Sequence, residues 1–172
     1  MTSGDWVTFK NIYNAHGLLA EAAVAGFGAM LDPAKAEWEG GPSSVDVRWP
    51  DHAVDAKRGF IEMRRYLKGP KQVCIGFMGA SRETQAREGV TYYAIAVAKN
   101  SPSVRITASN DSFEVQLSNA RYELYLFPAK LINEQFHPEI RRDGSAGKGL
   151  NRWLPLESAA TFRVRPPDHT AC

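Results

Sequence analysis

The 172-residue chain has only two cysteines, Cys74 and Cys172, and a formal charge of only +2. One thiol lies inside the apolar run Val73–Met78 and the other is the last residue, so a disulfide framework is excluded and Cys74 reads as a buried thiol. The four histidines, His16, His52, His137 and His169, are too scattered to make a zinc site with them. The small net charge excludes a uniformly basic nucleic-acid binder and leaves a local basic stripe as the means of holding a polyanion. Long hydrophobic runs are missing as well. His16–Leu31 is too short to span a bilayer and contains Glu21, and the opening "MTSGDWVTFKNIYNAHG" lacks the basic and apolar regions of a secretory signal. These absences lead to the expectation of a cytoplasmic protein with no membrane partner.

What is present is ordinary for a globular chain: 44% hydrophobic and 23% charged residues. The length fits a single domain, expected over residues 1–165, with a disordered tail over 166–172. A helix is expected over residues 6–31, with Leu19, Ala22 or Ala23, Phe27 and Met30 on one apolar face. Asp32–Pro33 stops it, Pro33–Glu39 offers a short further turn, and "GGPSS" at 40–44 is a loop. Strand-like runs follow at Gln72–Met78, Val90–Ala98, Val104–Ala108, Phe113–Leu117 and Arg121–Phe127. The turn chemistry between the last four suggests an antiparallel meander. Ser81–Glu88 reads as a connecting helix. "PAKLINEQFHPEI" reads as a short helix with Pro128 near its first turn and Pro138 near its end. Leu150–Leu156 and Thr161–Arg165 complete the strands. The fold class expected is therefore α+β, or mixed α/β: one domain with a central mixed sheet, an N-terminal helix and flanking helices.

The chemistry concentrates in "VDVRWPDHAVDAKRG", residues 45–59. Two short runs, Val45–Trp49 and Ala53–Lys57, flank a turn over Pro50–Ala53. Strand alternation places Asp46 with Arg48 on one face, and Val45, Val47 and Trp49 on the other. In the second run, Asp55 and Lys57 share a face and Val54 and Ala56 lie opposite. Folded together, the runs set Asp46 near Asp55, and Asp46, Asp55 and Lys57 gather on one surface. The Pro50–Asp51 pair falls in the turn. Two carboxylates suit magnesium, which prefers hard oxygen ligands and usually takes one or two carboxylates. A neighbouring lysine suits a phosphate and the water that attacks it.

Asp46 followed by Asp55-Ala56-Lys57 resembles the signature of the PD-(D/E)xK nuclease superfamily, which includes many small type II restriction endonucleases. The resemblance covers residues 6–80. It implies a mixed sheet flanked by helices and Mg²⁺-dependent cleavage of double-stranded DNA, often by a homodimer. By this resemblance the catalytic residues are Asp46, Asp55 and Lys57, with Asp46 and Asp55 as metal ligands. Superfamily members often add a glutamate from the first helix; Glu21 is the best-placed candidate, with Glu37 behind it.

The segment "KRGFIEMRRYLKGPK" reads as a short helix or irregular basic stretch, whose Arg58, Arg64, Arg65, Lys68 and Lys71 would contact the DNA backbone. A solvated helix face explains those charges equally well. Arg82, Gln85 and Arg87 are of types that contact base edges, though a polar connecting helix accounts for them too. "GSAGKGL" (144–150) lacks the spacing of a phosphate-binding loop. The four tryptophans, Trp6, Trp38, Trp49 and Trp153, are expected as packing anchors. An alternative of another class stands beside the nuclease: a non-catalytic α+β protein-binding module, such as an immunity or inhibitor protein.

Overall fold

The computed structural model describes residues 2–3, 7–8, 13–31, 37–38, 45–49, 52–78, 89–100, 103–108, 111–118, 121–138 and 151–165. In chain order the elements are β1 (Thr2–Ser3), β2 (Val7–Thr8), α1 (Tyr13–Leu31), β3 (Glu37–Trp38), β4 (Val47–Trp49), β5 (His52–Arg65) and β6 (Lys71–Met78). Next come β7 (Tyr92–Ala98), β8 (Ser103–Ala108), β9 (Phe113–Ser118), β10 (Tyr122–Pro128) and α2 (Ala129–Gln135). The described chain closes with β11 (Asn151–Pro155), α3 (Leu156–Ala159), a 3₁₀ turn (Ala160–Phe162) and β12 (Arg163–Val164). The fold is α+β, as the alternating and helical patterns imply.

The main sheet runs β11-β6-β5-β7-β10-β12, with β4 paired to β5 and β3 paired to β4. It is mixed: β5 and β7 are parallel, and the other pairs are antiparallel. Odd-numbered residues of the central strands (Ala53, Tyr93, Ile95, Val97, Tyr125, Phe127) build one core with α2, Phe136 and α3. Even-numbered ones (Val54, Ala56, Ala94, with Leu124 and Leu126 partly buried) build a second core under α1. Helices thus cover both faces, which is why β7 reads as a continuous apolar run.

Four sequence expectations change. The first helix begins at Tyr13, because Val7–Thr8 pairs instead with Val104 and Ser103 of β8. Its buried stripe is Ala20, Val24 and Gly28, while Met30 is 48% exposed. Small side chains at four-residue steps let the helix axis approach the sheet, and Gly28 is where the indole of Trp49 packs. The meander is interrupted. β7 pairs directly with β10, and β8–β9 form a separate four-stranded sheet with β1 and β2. The basic "FIEMRRYLKGPK" is neither helix nor irregular: β5 continues unbroken to Arg65 and turns at Leu67–Gly69 into β6.

Other expectations hold closely. Pro128 caps α2 at its N-terminus, and the strands at 71–78, 92–98, 103–108, 113–118 and 122–128 fall where the patterns place them. Cys74 is fully buried. Trp49 and Trp153 are packing anchors, but Trp38 is 46% exposed. Trp6, the Ser81–Glu88 segment, residues 144–150, Cys172 and the 166–172 tail lie outside the described residues.

Candidate active site

The site forms where β5 changes partners. Val54 pairs with β4 on one side and β7 on the other; Gly59 pairs with β6 on one side and β7 on the other. A strand has two edges, so β4 and β6 share the edge opposite β7. Between them, among the described strands, residues 55–58 pair with β7 and with neither β4 nor β6. Val54 turns its carbonyl toward this edge, accepting from the Asp46 N–H at 3.0 Å. By alternation Ala56 points the same way, and its N–H donates to Asp46 Oδ2 at 2.8 Å. The Asp46 carboxylate therefore stands in for the missing strand and satisfies a buried donor.

Asp46 reaches this position through a bulge. Asp46 and Val47 both address Val54, two residues against one. The extra residue breaks strict alternation: Val45 joins the core under α2 and α3, whereas Val47 and Trp49 join the core under α1. The expectation that Val45, Val47 and Trp49 share one face is corrected on this point.

Asp55 and Lys57, two residues apart, do share a face. Asp55 is fully buried, and Lys57 Nζ forms an ion pair with its Oδ1 while keeping 16% of its side chain exposed. Two-residue strand spacing sets both side chains over the same surface, so the pair follows directly from D-x-K on a strand. Glu21 rides on α1 close enough to feel this cluster. Burial raises its pKa above the ordinary value of 4.5 and the Asp46 carboxylate raises it further. A hydrogen bond from Trp38 Nε1 at 3.3 Å and the charge of Lys57 pull the other way.

An ion pair ties Lys57 to Asp55 and a hydrogen bond ties Asp46 to the Ala56 backbone, while Glu21 lies within electrostatic reach of Asp46 and Lys57. Trp38 is the member that the sequence reading missed. It lies seventeen residues from Glu21, beyond the end of α1, and no local pattern links the two. Glu37 is exposed, paired across to Arg48 in the β3–β4 ladder.

The candidate DNA-backbone residues do not form one stripe. Arg58 and Arg64 occupy even positions of β5, with Arg58 over the Phe60 ring at 4.9 Å and Arg64 over Trp153 at 4.7 Å. Arg64 also pairs with Glu62. Arg65 and Lys71 face each other on the opposite side of the hairpin, and Lys68 sits in its turn. Arg82, Gln85 and Arg87 lie outside the described residues.

Among the described residues no group of three or more His, Cys, Asp or Glu side chains could hold a metal ion. What the site offers is the carboxylates of Asp46, just before β4, and of Asp55 on β5, hard oxygen donors of the type magnesium takes beside water and phosphate. It supplies none of the Cys or His donors on which zinc sites are mostly built. Among the described residues, no helix is long and apolar enough to cross a membrane. No family model, no curated protein and no solved structure matches the chain.

Proposed function

We propose that this chain is a magnesium-dependent endonuclease that hydrolyses DNA phosphodiester bonds. The observation that carries the reading is the Asp55–Lys57 pair, buried on β5 and flanked by the Asp46 carboxylate at an interrupted sheet edge. Asp46 and Asp55 would hold the ion. When bound, magnesium lowers the pKa of a coordinated water and offsets charge on the phosphate oxygens. The chain's own groups do the rest. Lys57, anchored by Asp55, presents a fixed positive charge where negative charge develops on the phosphate. Trp38 holds Glu21 by Oε2, which leaves Oε1 to take a proton from the attacking water, and the raised pKa makes that oxygen a better base. Cutting both strands of a duplex calls for two such sites, which a homodimer would supply.

A second reading has its own observation. Asp46 already accepts the Ala56 N–H and Asp55 Oδ1 already pairs with Lys57, so the chain itself engages both carboxylates, in the manner of a structural network in a non-catalytic binding protein. Magnesium titration by calorimetry separates the two. The nuclease reading expects saturable binding that Asp46→Asn and Asp55→Asn both abolish. A wild-type protein that takes up no magnesium or manganese, with or without DNA, supports the binding protein.

A further inference from the structure

We infer that the tip of the β5–β6 hairpin is a second duplex-binding surface, seating the DNA backbone on Arg65, Lys68 and Lys71 at a distance from the scissile bond. The inference rests on the nuclease reading and deepens it by setting the length of substrate the enzyme needs.

Residues directly opposite in an antiparallel pair share a face, and here the rows run Ile61–Ile75, Met63–Val73 and Arg65–Lys71. Along this one face the hairpin leaves the core. Ile75 is buried, Met63 and Val73 are 56% and 44% exposed, and the next row is two cations facing each other. Like charges directly opposite destabilise a strand pair, so the row is relieved by an anion lying across both. Residues 63–73 contain no carboxylate. Glu62, just outside, is taken by Arg64 on the other face. Among the described residues Arg65, Lys68 and Lys71 enter no ion pair, and Arg65 spends one N–H on the Gly69 carbonyl at 3.3 Å. A guanidinium carries five donors in all.

The apolar residues fit the same occupant. Of the five exposed large hydrophobic residues among those described, Met63, Leu67 and Val73 belong to this hairpin. Leu67, with φ 51°, is held outward at the turn. Interleaved with cations, these side chains match a chain of alternating phosphates and deoxyriboses. Charge complementarity thus selects a polyanion, and the candidate catalytic residues on the same strand select DNA.

Lys57 and Arg65 lie on the same strand, and the eight residue steps from one to the other span about 26 Å at roughly 3.3 Å each. That is about eight base pairs at roughly 3.4 Å per step. Duplexes extending well short of this from the cleavage point are expected to be bound weakly and cut with raised KM.

The test is fluorescence anisotropy of a 30-base-pair duplex in EDTA, across a salt series, with the wild type and the Arg65→Ala/Lys68→Ala/Lys71→Ala variant. Each phosphate no longer neutralised lowers the slope of log K against log salt by about one. The triple variant is therefore expected to lose up to about three from the slope and at least about tenfold in affinity at low salt. Lys130→Ala, exposed on α2, should leave both unchanged, and circular dichroism confirms that each variant is folded. A folded triple variant with the wild-type slope overturns the inference, even where Asp55-dependent cleavage persists. Duplex binding that weakens as expected in the triple variant, with no magnesium-dependent cleavage by the wild type, keeps the hairpin and removes the catalytic reading. Phosphatidylserine vesicles bound by the wild type and released by the triple variant, with duplex binding unchanged, reassign the hairpin to a lipid surface and overturn it.

Discussion

Asp46 Oδ2 accepts the Ala56 N–H at 2.8 Å across the one stretch of β5 edge that neither β4 nor β6 covers. The carboxylate thus has a structural duty separable from any catalytic one. Asp46→Ala leaves a buried donor unsatisfied and is expected to lose about 1–3 kcal/mol of stability. Asp46→Asn keeps an oxygen acceptor at that position and removes the charge. It is expected to stay within about 1 kcal/mol of the wild type in urea unfolding while losing magnesium-dependent activity. Equal destabilisation by both substitutions would show that the charge, rather than the hydrogen bond, secures the bulge.

Glu21 gives a pH signature. Burial first, then the Asp46 carboxylate, raise its folded pKa above the ordinary 4.5, with Trp38 and Lys57 opposing. A carboxyl with a raised folded pKa favours folding most when protonated. Its contribution is full below about pH 4.5 and is lost as pH rises through the folded value. At pH 7 the charged Glu21 therefore opposes folding. Glu21→Gln, which retains an acceptor for Trp38, should have a Tm at pH 7 equal to or above that of the wild type. Thermal unfolding should show that advantage shrinking toward pH 4. A variant less stable at pH 7 than the wild type, by the same margin at pH 4, would contradict this electrostatic assignment.

Two glycines of α1 should respond in opposite directions. A Cβ at Gly28 would lie 1.9 Å from Trp49 Nε1, so Gly28→Ala must push away a buried indole and is expected to destabilise by about 1–3 kcal/mol. A Cβ at Gly26 meets nothing within 4 Å, and Gly26→Ala should stabilise by about 0.5–1 kcal/mol through helix propensity. Chemical denaturation of both variants checks the rotation of the helix toward Ala20, Val24 and Gly28.

The D-x-K pair was legible because strand alternation depends only on spacing: Asp55 and Lys57 had to share a face once β5 was a strand. The position of Asp46 was legible in part. Opposition to β5 follows from the two-residue gap between Trp49 and His52, but the bulge that splits Val45 from Val47 leaves no periodic trace. The face of α1 was legible in part: Phe27 packs against Trp49 as its hydrophobicity suggests, but Met30 is exposed, and close approach to the sheet selects the small Ala20 and Gly28. The basic hairpin was hidden because Glu62, Arg64 and Arg65 mask the alternation of Gly59, Ile61 and Met63. The Trp38–Glu21 bond joins residues seventeen positions apart, on α1 and β3, beyond any pattern of spacing.

Nicking of supercoiled plasmid in magnesium, with the wild type beside Asp55→Asn and Lys57→Ala, decides whether the pair on β5 is catalytic. The wild type is expected to convert plasmid to open circles in magnesium, with conversion abolished by EDTA and slowed about 100-fold or more in each variant. A wild-type protein that never cuts DNA in magnesium or manganese would contradict the catalytic assignment, as would folded variants that cut at the wild-type rate.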